Sequence, residues 1–505
     1  MRKRAGLLGA ALLLALLAAC GGPKAAGPYT LGGTVSGLRG TLVLETDGQT
    51  VTVAQNGPFA FPQKLPDGGY YRVRVKTPPL FERCSVTNGE GVVKGADVTD
   101  VAVTCQDKAW QGPVELEPSL AGGAARVRAA FAGDVPMVAW EEGSSVYLST
   151  LSFGGWSLPA RVNVGNAAYP ALAGNPEGRA VLTWTEVDGG VRRVFALSSY
   201  RESWSGPEAV STAGRAVHSE PRLSMNASDR AALAWIEDDG ANDRAAVALY
   251  DGHHWTSPHY VSQAGANAGD PAVAVNNSGD VLAAWKQGSR VYAALRTGGV
   301  WGAPSELYTG GLNTSMPQAF LDDAGRAYVA WDIQPPGPGN PAIALASYNP
   351  QSGMWTSHLN FEYGWRPVLA GDAASGRLAF FWLKDGALWV RVYEDGDWQD
   401  AEALSPAGSN PGPASAAMDA AGNLVVAWQQ KDSDGVRQVY AAFRQYGGWI
   451  KPAGRDDFLS FPGRDVRPPG SFGNPAAAIG EGRALVAWSQ DDGSGRDRSS
   501  ANLYW

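Results

Sequence analysis

From about residue 110 onward the chain repeats one pattern of polar and apolar positions, with a period of about fifty residues. A turn rich in Asn, Asp and Gly is followed by an apolar run ending in Trp, as in Asn276-Asn-Ser-Gly-Asp-Val-Leu-Ala-Ala-Trp285. Eight copies end at Trp140, Trp184, Trp235, Trp285, Trp331, Trp382, Trp428 and Trp488. Six residues before the Trp stands Gly178, Gly279, Gly325, Gly376, Gly422 or Gly482, with Asp134 and Asp229 in the other two copies. Nine before it, Asn175, Asn226, Asn276, Asp322 and Asp419 recur. Asx side chains cap bends and Gly accepts positive φ, so each spacing predicts a tight turn leading into a strand.

Upstream of each turn, Pro170, Pro221, Pro271, Pro317, Pro367, Pro413 or Pro475 opens a short apolar stretch, and Pro is tolerated at the first residue of a strand. Downstream comes a third run, such as Arg290-Val-Tyr-Ala-Ala-Leu295, and then a second Trp with Pro three residues on, as in Trp301-Gly-Ala-Pro304. Four short antiparallel strands per repeat predict a β-propeller, in which each blade buries its faces against its neighbours. The last copy stops after its third strand at Ser500-Ala-Asn-Leu-Tyr-Trp505, while Trp110-Gln-Gly-Pro113-Val-Glu-Leu is a fourth-strand sequence standing alone ahead of the first repeat. Pairing the two completes an eighth blade and removes the open sheet edges. The expected fold is all-β: an eight-bladed propeller over 107–505 with three-plus-one closure, preceded by a small β-sandwich over 29–106.

Composition agrees with many turns and many aromatic anchors: 64 Gly, 33 Pro and 19 Trp in 505 residues. The net charge of −8 argues against a nucleic-acid partner held by bulk electrostatics. At the N-terminus, Met1-Arg-Lys-Arg4 is basic and Leu7 to Leu17 is apolar but too short for an ordinary spanning helix, the pattern of an export signal. Leu17-Ala-Ala-Cys20 resembles the lipobox of bacterial lipoproteins. That resemblance implies cleavage of residues 1–20, lipidation of Cys20, a tether over 21–28, and an envelope protein anchored at the outer membrane or cell surface. The remaining cysteines, Cys84 and Cys105, are then expected to form a disulfide in an oxidising compartment.

Residues 29–106 carry β-forming runs at Gly40–Glu45, Thr50–Val53, Tyr70–Val75 and Val101–Cys105. Gly32-Gly-Thr-Val-Ser-Gly-Leu38, Cys84-Ser-Val-Thr-Asn-Gly-Glu-Gly and Val-Thr-Cys105 resemble the transthyretin-like or carboxypeptidase-regulatory-like modules of bacterial surface lipoproteins. A spacer or adhesion role without catalysis is what that resemblance implies.

Ligand sites are expected on the propeller face that gathers the loops between strands two and three and the blade-to-blade connections, because variable loops on a rigid scaffold carry binding. The two-to-three loops are acidic, with Glu237 and Asp238 as candidates for a hard cation such as Ca²⁺, a sugar hydroxyl or a cationic ligand. The long connection bearing Arg464 and Arg467 and the segment Trp365-Arg366-Pro367 are the other candidates; aromatics stack on sugar rings and Arg reads carboxylates. The Asx-x-x-Gly-to-Trp turn loosely resembles the Asp-box of sialidase-like propellers, which implies a structural turn away from a catalytic face. His218, His253, His254, His259 and His358 show no metal-ligand spacing, and no nucleophile elbow occurs. The expected function is a monomeric, lipid-anchored propeller that binds a glycan or a protein without catalysis; the alternative is a glycan-processing hydrolase or lyase with its site at the central channel. A cluster of arginines converging in a deep central pocket would favour the hydrolase.

Overall fold

The computed structural model describes residues 27–79, 82–117, 122–152, 154–200, 203–310, 312–334, 341–445, 447–468, 473–480 and 482–505. The export signal, Cys20 and most of the tether lie outside these residues. All regular structure in the described residues is β. The chain divides into two compact units between Lys108 and Ala109.

In the first unit, a four-stranded sheet runs in the order Gly57–Ala60, Leu31–Ser36, Val98–Asp107, Glu82–Thr87, and a three-stranded sheet is formed by Gln49–Val53, Leu42–Thr46 and Arg74–Thr77. They share one core that includes Leu31, Leu42, Leu44, Phe59, Phe61, Val101 and Val103. Cys84 and Cys105 face each other on adjacent antiparallel strands and form the disulfide.

The second unit is an eight-bladed propeller. Blade 4 shows the plan: Ala268–Val275, Val281–Gln287 and Arg290–Thr297 run antiparallel from the axis outward, and a broken fourth strand, Val300–Trp301 and Ser305–Tyr308, pairs with the third. The break is made by Pro304, which cannot donate to the ladder. Inner strands of successive blades touch in order, and that of blade 8, Ala476–Gly480, meets that of blade 1, Ala124–Ala132, closing the ring. Blade 8 takes its fourth strand from the front of the unit: Val114–Glu115 pairs with Asp497–Tyr504.

The repeated Trp is the anchor of each blade. All eight are buried, because the apolar run after the turn is covered on both faces by neighbouring blades. Trp184 and Trp235 donate through Nε1 to Glu186 and Glu237, each two residues further on, at 2.8 Å; Trp428 and Trp488 donate to Gln430 and Gln490 at 3.0 Å. The same acceptors hold the incoming blade-to-blade loop. Glu237 accepts from Thr212 and from the Tyr260 hydroxyl, and Gln490 is tied to Phe461 and to the Arg464 carbonyl. In these blades one side chain satisfies a buried indole and fixes a loop, whereas Nε1 of Trp285, Trp331 and Trp382 meets no partner among the described residues.

On the opposite face, the Asx turns form a belt. Asn175, Asn226 and Asn276 each cap their own turn, accepting from the N–H four residues on at 2.9 Å. Their amides reach across to the next blade, to the carbonyls of Asn226, Asn276 and Asp322.

The prolines differ from the sequence expectation. Pro170, Pro271, Pro317 and Pro367 lie inside inner strands and not at their starts, each at an interruption of the register with the second strand. A bulge accommodates Pro because its residues do not pair.

At the blade 8–1 junction, two carboxyls share the place that one acceptor fills elsewhere. Trp140 donates to Glu117 at 2.8 Å, the Ser499 N–H also donates to Glu117, and Glu142 accepts from the Gly122 N–H. Glu142 Oε2 is buried and meets no donor among the described residues. Burial, and then the hydrogen bond with Glu142, push the Glu117 carboxyl up to about 9. The fold holds this proton more tightly than the unfolded chain does. Its contribution is complete below the ordinary value of 4.5 and is lost as pH rises toward about 9.

Blades 4, 7 and 8 carry Gln at the position of Glu142. Glu142→Gln puts an N–H donor against Glu117 without needing a proton, so it is expected to raise stability at about pH 8 by roughly 1–3 kcal/mol and to have a smaller effect at about pH 5. Thermal melts at the two pH values check this; an equal shift at both would remove the shared proton from the account.

Candidate functional site

The inner strands enclose a central cavity of about 1130 Å³ to which all eight blades contribute. Its wall is built from the repeated residue that precedes the inner-strand Pro. Around the ring this position is held by Tyr169, Glu220, Asp270, Met316, Arg366 and Asn474, and by Arg126 before Val127 in blade 1; all seven line the cavity. Five of them, Arg126, Tyr169, Asp270, Met316 and Arg366, are non-glycine residues with φ between 48 and 58. Each sits at a bulge. A bulge re-aims its side chain, and a left-handed conformation in an L-residue costs roughly 1–2 kcal/mol. Five such residues around one cavity make it the candidate site, since strain of this kind clusters where function requires it.

The strain is held in place by carboxylates of the preceding blade. The Tyr169 N–H donates to Glu141 at 3.0 Å, and the Arg366 N–H donates to Asp332 at 2.9 Å. Burial pushes the Asp332 carboxyl up to about 6 against the opposing effect of that N–H and the Arg366 charge.

Five arginines line the cavity, Arg126, Arg128, Arg192, Arg222 and Arg366, against three carboxylates, Glu220, Asp243 and Asp270. Arg126 is committed: it makes two hydrogen bonds to Glu141 at 2.7 and 2.8 Å, an ion pair to Glu220 at 3.3 Å, and lies 4.1 Å from the Tyr169 ring centroid. Arg128 is 3.8 Å from Glu220. Burial, and then the Arg222 and Arg126 charges, lower its pKa against the pull of Glu220. Arg192 donates to the Thr185 hydroxyl at 2.9 Å. No ion pair or hydrogen bond engages the guanidinium of Arg222 or Arg366 among the described residues. His218 Nδ1 lies 2.6 Å from Asp243 Oδ1 on the same wall. The charged groups come from blades 1 to 4, and Arg366, on blade 6, stands half a ring from Tyr169 and Arg192 on blade 2. Blades 5, 7 and 8 line the cavity with Met316, Gln318, Ser415, Asn474 and their prolines and alanines.

The residues singled out by sequence fall in different places. Arg366 lines the cavity, but Trp365 packs against the core between blades 6 and 7. Glu237 does not sit in a loop: it is in the second strand of blade 3, fully buried, and its oxygens are taken by Trp235, Thr212 and Tyr260. Asp238 ends that strand and caps the turn through the Gly240 N–H at 2.7 Å. Glu142, Glu186 and Asp332, on the second strands of other blades, are likewise buried. Arg464 pairs with Glu115, and Arg467 with Asp497 at 2.7 Å and the Ala124 carbonyl at 2.9 Å, so the long connection fastens the closing blade. Among the described residues no group of three or more His, Cys, Asp or Glu side chains gathers to hold a metal ion, Ca²⁺ included. Sequence reading missed Arg126, Arg128, Tyr169, Arg192, His218 and Arg222. The repeated pre-Pro position was a usable signal for Tyr169 alone among these, because a residue ahead of Pro is conformationally restricted.

Equivalent substitutions at two bulges separate strain from pairing. Met316→Gly removes a half-exposed side chain and the left-handed strain, and is expected to be neutral or to stabilise by about 1 kcal/mol. Arg126→Gly relieves the same strain but leaves the partly buried Glu141 without its cation, and is expected to cost about 2 kcal/mol or more. Denaturant titration reads both, and equal effects would mean that the Arg126 pairs are idle.

Neither a protein-family model nor a curated protein matches the chain. Among solved structures, it is similar to an ulvan lyase bound to a -[GlcA(1-4)Rha3S]- saccharide (11% identity, 67% of this chain and 98% of that one, TM-score 0.46). It is also similar to a Hadza microbial sialidase (10%, 90% and 79%, 0.38) and to Trypanosoma rangeli sialidase (10%, 70% and 56%, 0.36). None of these superposes closely enough to carry a residue role across.

Proposed function

We propose that the propeller binds an acidic saccharide, one bearing carboxylate or sulfate groups, in its central channel. The observation that carries this reading is the guanidinium excess inside the cavity, with Arg222 and Arg366 unengaged, in a chain whose net charge is −8. Guanidinium presents a planar fork that matches carboxylate and sulfate oxygens. The low-dielectric walls strengthen that attraction, and the acidic exterior repels anions elsewhere. Pro, Ala and Met surfaces on blades 5, 7 and 8 would meet the apolar faces of sugar rings. The site proposed from sequence on the loop rim thus moves inward, keeping only Arg366.

Passage of the full-length chain over immobilised acidic polysaccharides, with carboxyl-reduced and desulfated forms as controls, tests the reading. Retention is expected on the acidic forms only and is expected to weaken with salt. Arg222→Ala with Arg366→Ala should weaken it by about 10- to 100-fold, the scale of one or two charge-assisted hydrogen bonds. Equal retention on reduced polymers, or on the double variant, would refute it.

We further propose that the protein is held at a bacterial outer membrane or cell surface by a lipid on Cys20, with residues 29–106 as the spacer. The lipobox-like Leu17-Ala-Ala-Cys20 supports this. Cys20→Ser is expected to move the protein from the membrane pellet to the soluble fraction and to abolish incorporation of labelled fatty acid. Unchanged labelling would reject the assignment.

A further inference from the structure

We propose that the channel is catalytic: His218, oriented by Asp243, acts as the general base that cleaves a uronate-containing polysaccharide by β-elimination. This rests on the acidic-saccharide reading above and adds a reaction to it.

An ionised Asp only accepts hydrogen bonds, so the 2.6 Å contact to Nδ1 places the imidazole proton on Nδ1 and leaves the Nε2 lone pair available. The His218 backbone is held as well, its N–H donating to the Ile236 carbonyl at 2.8 Å. The imidazole is about half exposed and lines the cavity that also holds Arg222 and Arg366. A fixed tautomer in one cavity with unengaged guanidinium groups is the equipment for removing a proton α to a carboxylate: the cations would neutralise the carboxylate and stabilise the charge that develops on it.

The usual hydrolytic arrangement calls for two carboxyl groups flanking the scissile bond. Among the described residues the cavity does not offer a free pair. Glu220 is paired with Arg126 and Arg128, and Asp243 is bound to His218, leaving Asp270 alone. In the elimination, His218 Nε2 takes the C5 proton of the uronate and the C5–H electron pair becomes the C4=C5 double bond. The C4–O bond breaks, its electrons leave with the glycosidic oxygen, and channel water protonates that oxygen. His218 returns its proton to solvent, and no oxidant or reductant is consumed.

The test is incubation of the full-length chain with polygalacturonate, alginate and hyaluronan, following the ultraviolet absorbance of the unsaturated uronide, reducing ends and retention together. Unsaturated product on at least one polymer is expected, with His218→Gln lowering its rate about 100-fold or more and Leu158→Ser, on an exposed residue far from the cavity, leaving it unchanged. Retention without product on every polymer would overturn the elimination and leave the binding reading standing; absence of both would overturn both. Reducing ends without the absorbance would also overturn it, in favour of hydrolysis, as would wild-type rates in His218→Gln.

Discussion

The structure depends on burying one indole per blade between neighbouring blades. An apolar run covered on both faces holds a Trp best where the ring's donor is satisfied; in four blades the residue two positions on satisfies it, whereas in blades 4, 5 and 6 Nε1 of Trp285, Trp331 and Trp382 meets no partner among the described residues. In blade 1 the acceptor comes from Glu117, just beyond the closing strand. Because those acceptors also grip the incoming loop, packing inside a blade and spacing between blades are coupled. The Asn belt repeats the coupling on the other face, and together they set the angle at which each inner strand reaches the axis.

That angle leaves a channel, and the bulges decide what lines it. A regular strand would alternate its side chains between the two neighbouring blades. The bulged residue escapes that alternation and faces the axis at the cost of a left-handed backbone. Pro locks φ and lacks a donor, so it suits the position after the bulge, where no ladder bond is made. The N–H of the bulged residue would then be stranded, and Glu141 and Asp332 supply acceptors for Tyr169 and Arg366. Second-strand acids that read as solvent-facing charge are therefore internal supports of the channel wall.

The electrostatics are divided between outside and inside. Excess acid is spread over a chain of 505 residues, whereas five arginines converge on one cavity. Some of that charge is structural, as with Arg126. Arg222 and Arg366 have no such task and face the space where a ligand would lie. On the proposed reading, fields focused in a walled channel would attract an anion that the rest of the surface repels.

By itself the sequence determined the architecture. The recurrence of Asx-x-x-Gly before an apolar run ending in Trp, and the orphan strand at Trp110 to Leu116, specify blade, blade number and closure, because strand, turn and edge pairing are local patterns or one simple match between the ends. Cys84 and Cys105 were readable for the same reason. The site was not. Arg126, Tyr169, Arg192, His218, Arg222 and Arg366 are separated by up to 240 residues; only closing the ring brings them around one cavity. Whether Glu237 binds or supports, and whether Arg464 and Arg467 reach a ligand or a closing strand, depended on which partner lay within hydrogen-bond distance. That is a property of three-dimensional packing, where burial changes the energy of a charge far more than its neighbours in sequence do.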